Sequence, residues 1–170
     1  MAKSQVKMEL SDFRKVISAA HPDALAADAP AEHWLEIVPE KWAEVAQTLR
    51  DDKATRFDYL SCLTGYDEGV DGQLAVIYNL HSMELLQQLE IRIKLPRSGG
   101  EVPSVAHIWR AADWHEREAY DMFGMTFSGH PDLRRMLLPE DWVGHPLLKD
   151  YETPEYYRGI EVEKDKRGWE

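Results

Sequence analysis

Acidic, basic and aromatic side chains are concentrated between residues 116 and 151 of this chain. Residues 116–135 alone carry four acids, three arginines and one histidine. A carboxylate held near a histidine could serve acid–base chemistry, and paired guanidiniums such as Arg134 and Arg135 could bind a phosphate or the carboxylates of a partner. The region therefore predicts either a catalytic site or a surface that another protein binds.

Glu116 is the first candidate for chemistry because it projects into an apolar stripe on a predicted helix. The stripe consists of Val105, Ile108, Trp109, Ala112, Ala119, Tyr120 and Phe123. Apolar surroundings would raise the pKa of Glu116 and suit it to acid–base catalysis. The cost of burying a charge favours the alternative, a structural ion pair with Arg134 or Arg135. Arg117 and Glu118 project away from the stripe and can face a second protein.

Histidines are the second candidates, because with Asp121 or Asp132 they could surround a zinc ion. No pair has the i, i+4 spacing of a helical metal site. The Gly-His-Pro triplets at 129–131 and 144–146 are more typical of tight turns. A metal-dependent hydrolase that uses Glu116 with zinc or manganese remains the less favoured alternative. The histidines concerned are His107, His115, His130 and His145.

Composition excludes several classes of function. With 170 residues, 44% of them apolar, the chain fits one domain with a real core. A net charge of -11 argues against nucleic acid. No apolar run is long enough to span a membrane, and no apolar signal core precedes Leu10, which favours a cytoplasmic location. Cys62 is the single cysteine, so the chain can form no internal disulfide and supplies too few thiolates for an iron–sulfur cluster.

Hydrophobic periodicity predicts the elements that must position these residues. We expect an α+β fold: a two-layer mixed sheet with helices packed on it, followed by an irregular Gly/Pro-rich C-terminal segment. The first two strands, joined through a helix, should form a parallel pair by a right-handed crossover, and the later strands should be antiparallel. The predicted helices are 3–20, 39–52 and 105–122, and the predicted strands are 34–38, 57–63, 74–80 and 89–95.

The chain divides into two parts in this prediction. Residues 1–124 form the α+β domain, and residues 125–170 form an irregular, partner-binding extension of it. Within the extension, Phe127 to Gly159 is the predicted partner surface, because aromatic residues and arginine are the usual anchors of interfaces. We expect this segment to be ordered mainly in the complex. The alternative is that these aromatic residues cover the protein's own sheet.

Two long motifs resemble the signature of the 30-kDa subunit family of respiratory complex I, also called the C subunit family. The first is Trp114-His-Glu-Arg-Glu-Ala-Tyr-Asp-Met-Phe-Gly124 with Phe127-x-Gly-His-Pro-Asp-Leu-Arg-Arg135. The second is Leu138-Pro-Glu-Asp-Trp142, followed by Gly144-His-Pro-Leu147 and Lys149-Asp-Tyr151. The resemblance extends from about His33 to Ile160. Leu148, Glu152 and Arg110 depart from the Arg, Pro and Pro that the family commonly has at these positions.

This resemblance implies a cofactor-free peripheral-arm subunit of a proton-translocating quinone oxidoreductase. The D subunit would be the principal partner, with the B and I subunits nearby, on the cytoplasmic side of the cell membrane. Iron–sulfur clusters, quinone and any FMN or NADH would belong to other subunits, and no catalytic centre is expected in this chain. The signature residues expected at the interface, or supporting it, are Glu116, Arg117, Glu118, Asp121, His130, Asp132, Arg134, Arg135, Trp142, His145, Lys149 and Tyr151.

The compact length is similar to that of the J subunit, the form found in photosynthetic organisms. That similarity leaves both NADH and ferredoxin open as the electron donor. Related membrane-bound hydrogenases also share this subunit, and they are the nearest alternative assignment.

Overall fold

A four-stranded mixed sheet forms the centre of the structure, a computed structural model that describes residues 8–26 and 33–162. The strands lie in the order β1-β4-β3-β2. β1 is parallel to β4, and the other neighbours are antiparallel. The strands are β1 (Trp34–Glu36), β2 (Tyr59–Asp67), β3 (Leu74–Ser82) and β4 (Gln87–Leu95).

The alternating pattern of β4 explains why one face of the sheet is apolar. Leu89, Ile91, Ile93 and Leu95 are buried, whereas the intervening side chains of Glu90, Arg92 and Lys94 stay partly exposed. β3, most of whose side chains are buried, lies between β4 and β2. The α+β prediction is confirmed.

The predicted pairing of the first two strands is wrong. β1 and β2 lie at opposite edges of the sheet, although both run in the same direction. The physical reason is that β2, β3 and β4 join through short turns into an antiparallel meander, which leaves the free edge of β4 to receive β1. The register Leu35 to Ile91 shows this contact.

Helices α1 (Leu10–Ala20) and α2 (Trp42–Asp51) contribute apolar faces to the core. A short 3₁₀ turn at Pro39–Lys41 precedes α2, as proline at a first helical turn predicts. The first helix begins later than predicted, because Glu9 is extended and caps α1, and residues 3–7 of the predicted helix lie outside the described residues. The side chains that these helices bury are Phe13, Ile17, Trp42, Val45, Ala46 and Leu49.

Helix α3 (Arg110–Phe123) begins five residues later than predicted. Residues 105–109 form a turn instead, yet Val105, Ile108 and Trp109 are buried, which is why they continue the apolar stripe. The helix ends at Gly124, whose φ of 74° is the left-handed conformation that glycine adopts at little cost. It runs beside the edge strand β2, where His115 Nδ1 lies 3.0 Å from the backbone nitrogen of Leu63.

Short strands flank the irregular C-terminal segment and were not predicted. β5 (Glu101–Pro103) pairs in parallel with β6 (Thr126–Ser128), and β7 (Tyr156–Tyr157) forms a hairpin with β8 (Ile160–Glu161). Residues 129–155 contain no helix or strand, as predicted. The division of the chain at residue 125 stays a prediction, and residues 163–170 of the extension lie outside the described residues. None of the described helices has the length and apolar character to cross a membrane.

Candidate functional site

The signature residues fasten the C-terminal segment to the α+β body, and Asp121 is the centre of that attachment. This carboxylate on α3 is fully buried. Its Oδ2 accepts the backbone N–H groups of Met136, Leu137 and Leu138 at 3.0, 2.8 and 2.9 Å, while Oδ1 accepts Nη1 of Arg135 at 2.8 Å. Burial alone would raise the pKa of Asp121, but these donors outweigh it and hold the pKa below its ordinary value.

The second Gly-His-Pro turn lies against the end of α3. His145 Nδ1 is 2.9 Å from the backbone oxygen of Asp121, so this nitrogen carries the proton and donates it. Gly124 leaves room for the His145 ring, since a Cβ there would lie 2.7 Å from its Cδ2. Arg135 also donates to the backbone oxygen of Gly144 at 3.0 Å. Both triplets form turns, as predicted, and each histidine also lies within hydrogen-bonding distance of a backbone oxygen of α3.

A second buried carboxylate, Asp67 at the end of β2, fixes the segment further along. It accepts the backbone N–H of Lys149 and of Gly69, each at 2.8 Å. Arg97 pairs with Asp67 and with Asp150. Burial would raise the pKa of Asp67, but the N–H donors and Arg97 lower it below its ordinary value. We name the Asp121 and Asp67 sites, with their donors, the two carboxylate clasps.

Aromatic side chains of the segment contact one another between the clasps and the hairpin. The rings of Trp142 and Tyr157 lie 4.9 Å apart, and Trp142 Nε1 donates to the hydroxyl of Tyr151 at 3.0 Å. Asp141 accepts from Tyr157 and from both Nε and Nη2 of Arg158. This aromatic cluster gives the irregular backbone its own internal support. Whether a partner covers it stays a prediction.

Glu116 does not form the expected ion pair. Its Oε2 accepts the hydroxyl of Ser104 at 2.6 Å, and its Oε1 accepts the N–H of Val105 at 2.8 Å. Arg135 instead forms an ion pair with Asp121, and Arg134 forms one with the exposed Asp132 at 2.8 Å. The spacing of residues along the sequence does not show that the turn carrying Arg134 and Arg135 lies beside Asp121.

Arg117 differs from expectation in its exposure, and Lys149 contacts the body of the protein through its backbone. Arg117 is buried, not turned toward solvent, and its guanidinium donates to the backbone oxygens of Arg134 and Arg135. Lys149 contributes its backbone N–H to a clasp, while its ammonium lies 5.9 Å from the ring of Tyr66. Glu118, by contrast, is exposed as predicted. Arg117 therefore belongs to the attachment of the segment.

Sequence reasoning missed Asp67, Arg97 and Ser104. Asp67 lies two residues before Gly69 in a turn, and its side chain accepts the glycine N–H, which is an ordinary signal of a turn. Nothing in the local sequence connects it to Lys149, 82 residues away. The described residues bring together no group of three His, Cys, Asp or Glu side chains that could hold a metal ion.

Comparisons with known proteins agree with this architecture. Residues 35–157 match the family described as the 30-kDa subunit of respiratory-chain NADH dehydrogenase. The NADH-quinone oxidoreductase C subunit of Chlorobium phaeobacteroides is 44% identical over 162 residues, which are 93% of this chain and 97% of that protein. The chloroplastic NAD(P)H-quinone oxidoreductase J subunit of Chaetosphaeridium globosum is 39% identical, with 91% of this chain and 92% of that protein covered.

Other relatives are longer than this chain. The corresponding C subunit of Chloroherpeton thalassium is 48% identical over 124 residues, but the chain covers 51% of that protein.

Two solved structures share the fold. The trypsin-resistant fragment (1–134) of Nqo5 has a TM-score of 0.55 at 28% identity, covering 71% of this chain and 98% of that one. A chain of the membrane-bound sulfane sulfur reductase, an archaeal respiratory membrane complex, has a TM-score of 0.67 at 21% identity, covering 92% of this chain and 97% of that one. This protein belongs to the family of the 30-kDa subunit of respiratory-chain NADH dehydrogenase, the C subunit family of NADH-quinone oxidoreductases.

Proposed function

We propose that this chain is a peripheral-arm subunit of a proton-translocating, quinone-reducing complex, and that it holds electron-transfer subunits in place without transferring electrons itself. The D subunit is its principal partner and the B and I subunits lie nearby, on the cytoplasmic side of the membrane. NADH and ferredoxin are both compatible electron donors. Family membership supports the coarse part of this proposal, and the C-terminal segment supports the finer part.

The observation that carries the proposal is a hydrogen-bonded segment with exposed apolar side chains. The carboxylate clasps bind the backbone of this segment within the chain itself, and preorganisation of this kind would reduce the entropy lost on association. Among the described residues, five of the eleven large hydrophobic side chains that stay exposed lie between residues 137 and 160. They are Leu137, Val143, Leu147, Tyr156 and Ile160.

The cofactor-free part of the proposal depends on donor chemistry. An iron–sulfur cluster takes about four thiolates, and the sequence contains one cysteine. No glycine-rich phosphate-binding motif is present either. We therefore assign the redox groups of the complex to other subunits.

The proposal is tested by introducing a charge into the exposed apolar surface of the segment. Val143, which is 79% exposed, is replaced by aspartate, and the matched control is Met83→Asp in the β3–β4 turn, where the side chain is 60% exposed. We expect Val143→Asp to lower the recovery of this chain with the D subunit about tenfold, which corresponds to about 1.4 kcal/mol of binding free energy. Met83→Asp should leave recovery unchanged.

Two results would contradict the proposal. Equal recovery of both variants, confirmed with Ile160→Asp, would place the interface elsewhere on the molecule. Stoichiometric flavin or iron–sulfur absorbance in the purified chain would contradict the assignment of redox groups to its partners. These two results are independent, because the first concerns assembly and the second concerns the isolated chain.

A further inference from the structure

Glu116 occupies a closed polar pocket at the joint between three elements. It extends from α3 toward Ser104 and Val105, which follow β5, and toward His130, which follows β6. The side chains of Glu116 and His130 are both 0% exposed. Because Ser104 N–H also donates to the backbone oxygen of Ser128, the pocket joins α3 to the β5–β6 pair.

No cation compensates the charge of Glu116 when it is ionised. Within the described part of the chain, no arginine or lysine forms an ion pair with it, and the nearest ionisable nitrogen is Nε2 of His130 at 3.9 Å. The other ionisable groups that face it are Asp113 on the same helix and the buried Tyr78 on β3. Asp113 adds a like charge, so it opposes ionisation of Glu116.

Two hydrogen bonds fix the orientation of the His130 ring. Its Nδ1 accepts the backbone N–H of Asp132 at 3.0 Å, so the ring proton lies on Nε2. Nε2 donates to the backbone oxygen of Asp113 at 3.1 Å. The imidazole therefore presents one N–H to this side of the pocket.

Both protonation states of Glu116 find a hydrogen-bond partner in the pocket. The ionised carboxylate accepts from Ser104 and Val105, as seen. A protonated carboxyl could donate to the Ser104 oxygen, because a hydroxyl is both donor and acceptor. The 2.6 Å separation of these two oxygens suits either direction of the hydrogen bond.

We propose that Glu116 is a proton-binding site of the folded chain, and that release of its proton loosens the joint between α3 and the β5–β6 pair. The loosening follows because a charged carboxylate without a cation gains more from water than a neutral one, so openings that hydrate it become more frequent. Burial, more than the Asp113 charge, raises the pKa of Glu116 to about 7. The inference concerns the chain by itself and goes beyond the proposed assembly function.

The test measures the titration and the opening of the pocket in the full chain. Carbon-13 NMR of the Glu116 carboxyl should give a midpoint near 7, far above the ordinary value of 4.5. Amide exchange of Val105, corrected for its intrinsic dependence on pH, should become about tenfold faster between about pH 6 and pH 8, as linkage requires for a group with this midpoint. Glu116→Gln should abolish that acceleration, and Glu118→Gln, on the exposed side of the same helix, should preserve it.

A further variant covers the case in which Glu116→Gln fails to fold. Ser104→Ala removes a donor to the charged carboxylate, so the midpoint of Glu116 should move upward. A midpoint near 4.5 in the wild-type chain would overturn the proposal. So would an equal acceleration of Val105 exchange in Glu116→Gln, or a midpoint unchanged by Ser104→Ala.

Discussion

Helix α3 buries one carboxylate in its middle and another in its last turn, and their environments have opposite effects. Glu116 and Asp121 are both fully buried. Asp121 receives three backbone N–H groups and a guanidinium, and its pKa is lowered. Glu116 receives one hydroxyl and one N–H, and its pKa is raised. Burial by itself therefore does not decide the charge state of a side chain: the number and the charge of its donors decide it.

The two carboxylates of α3 therefore have different roles. The lowered pKa keeps Asp121 ionised at neutral pH, and the turn at residues 135–138 is organised around its carboxylate, so its role is structural. Glu116 can exist with or without its charge, so the joint that it supports can respond to pH. Four substitutions would break or sharpen this comparison.

The largest effect is expected from Asp121→Asn. This change keeps the shape of the side chain but leaves Arg135 without its counter-charge. One of the two carboxylate oxygens also becomes an NH2 group, which cannot accept a hydrogen bond from the donors facing it. Breaking a buried pair in this way costs about 3–5 kcal/mol. Urea unfolding should show that loss of stability, and proteolysis should cut the segment at residues 136–150 first. A stability within error of the wild type would mean that the clasp is not what holds the segment.

The second effect is a dependence of stability on pH that comes from Glu116. Its pKa is raised on folding from 4.5 to about 7, so the folded chain binds more protons than the unfolded chain between these values. Stability should therefore fall as pH rises through this window, by about 3 kcal/mol at 1.36 kcal/mol per pKa unit. Thermal melts of Glu116→Gln should lack this slope.

The lowered pKa values of Asp121 and Asp67 predict the opposite slope at low pH. Their contribution to stability is present above the ordinary value of 3.8 and is lost as pH falls through their folded values. Stability should thus be greatest between about pH 4 and pH 5.

A wild-type chain whose stability is constant from pH 5 to pH 7.5 would contradict the role given to Glu116.

A smaller effect is expected from Arg135→Lys. The lysine keeps a positive charge beside Asp121, but one ammonium cannot reproduce the forked contact with both Asp121 and the backbone oxygen of Gly144. Loss of one hydrogen bond of this kind costs about 1 kcal/mol. Chemical denaturation measures this loss of folding stability. A loss as large as that of Asp121→Asn would show that the geometry of the guanidinium, and not its charge, holds the Asp121 clasp.

The smallest effect is expected from Arg134→Gln, the exposed counterpart of the preceding change. Arg134 pairs with Asp132 where both side chains are more than half exposed. Solvent screens such pairs, so the unfolding midpoint should not change measurably. A clear destabilisation would indicate that exposure does not separate the two adjacent arginines as we describe.

The elements of the fold were more predictable than their contacts. The alternation from Leu89 to Leu95 identifies β4 because a strand with one buried face has a period of two. Adjacency of β1 and β2 was predicted wrongly because strand pairing depends on which edges remain free after the local turns form. The hydrophobic pattern within one segment carries no information about which strand edges remain free.

The contacts within the candidate site were even less predictable than the pairing of the strands. Glu116 and Asp121 could be singled out from the sequence, and burial of Glu116 followed from its place in the stripe. Their partners could not be assigned, because Arg135 reaches Asp121 only through the path of the turn after His130. Asp67 was missed because its partner N–H belongs to Lys149, and any residue other than proline supplies a backbone N–H.

The 82-residue separation of Asp67 and Lys149 has a consequence for the order of folding. A contact this distant in sequence closes a long loop, and its entropic cost must be met before the contact stabilises anything. During synthesis the strand that ends at Asp67 leaves the ribosome well before Lys149 does, so the sheet can assemble first. We expect the Asp67 clasp to close late in folding, on a body that is already formed. The C-terminal segment would then be the last part of the molecule to acquire its native structure.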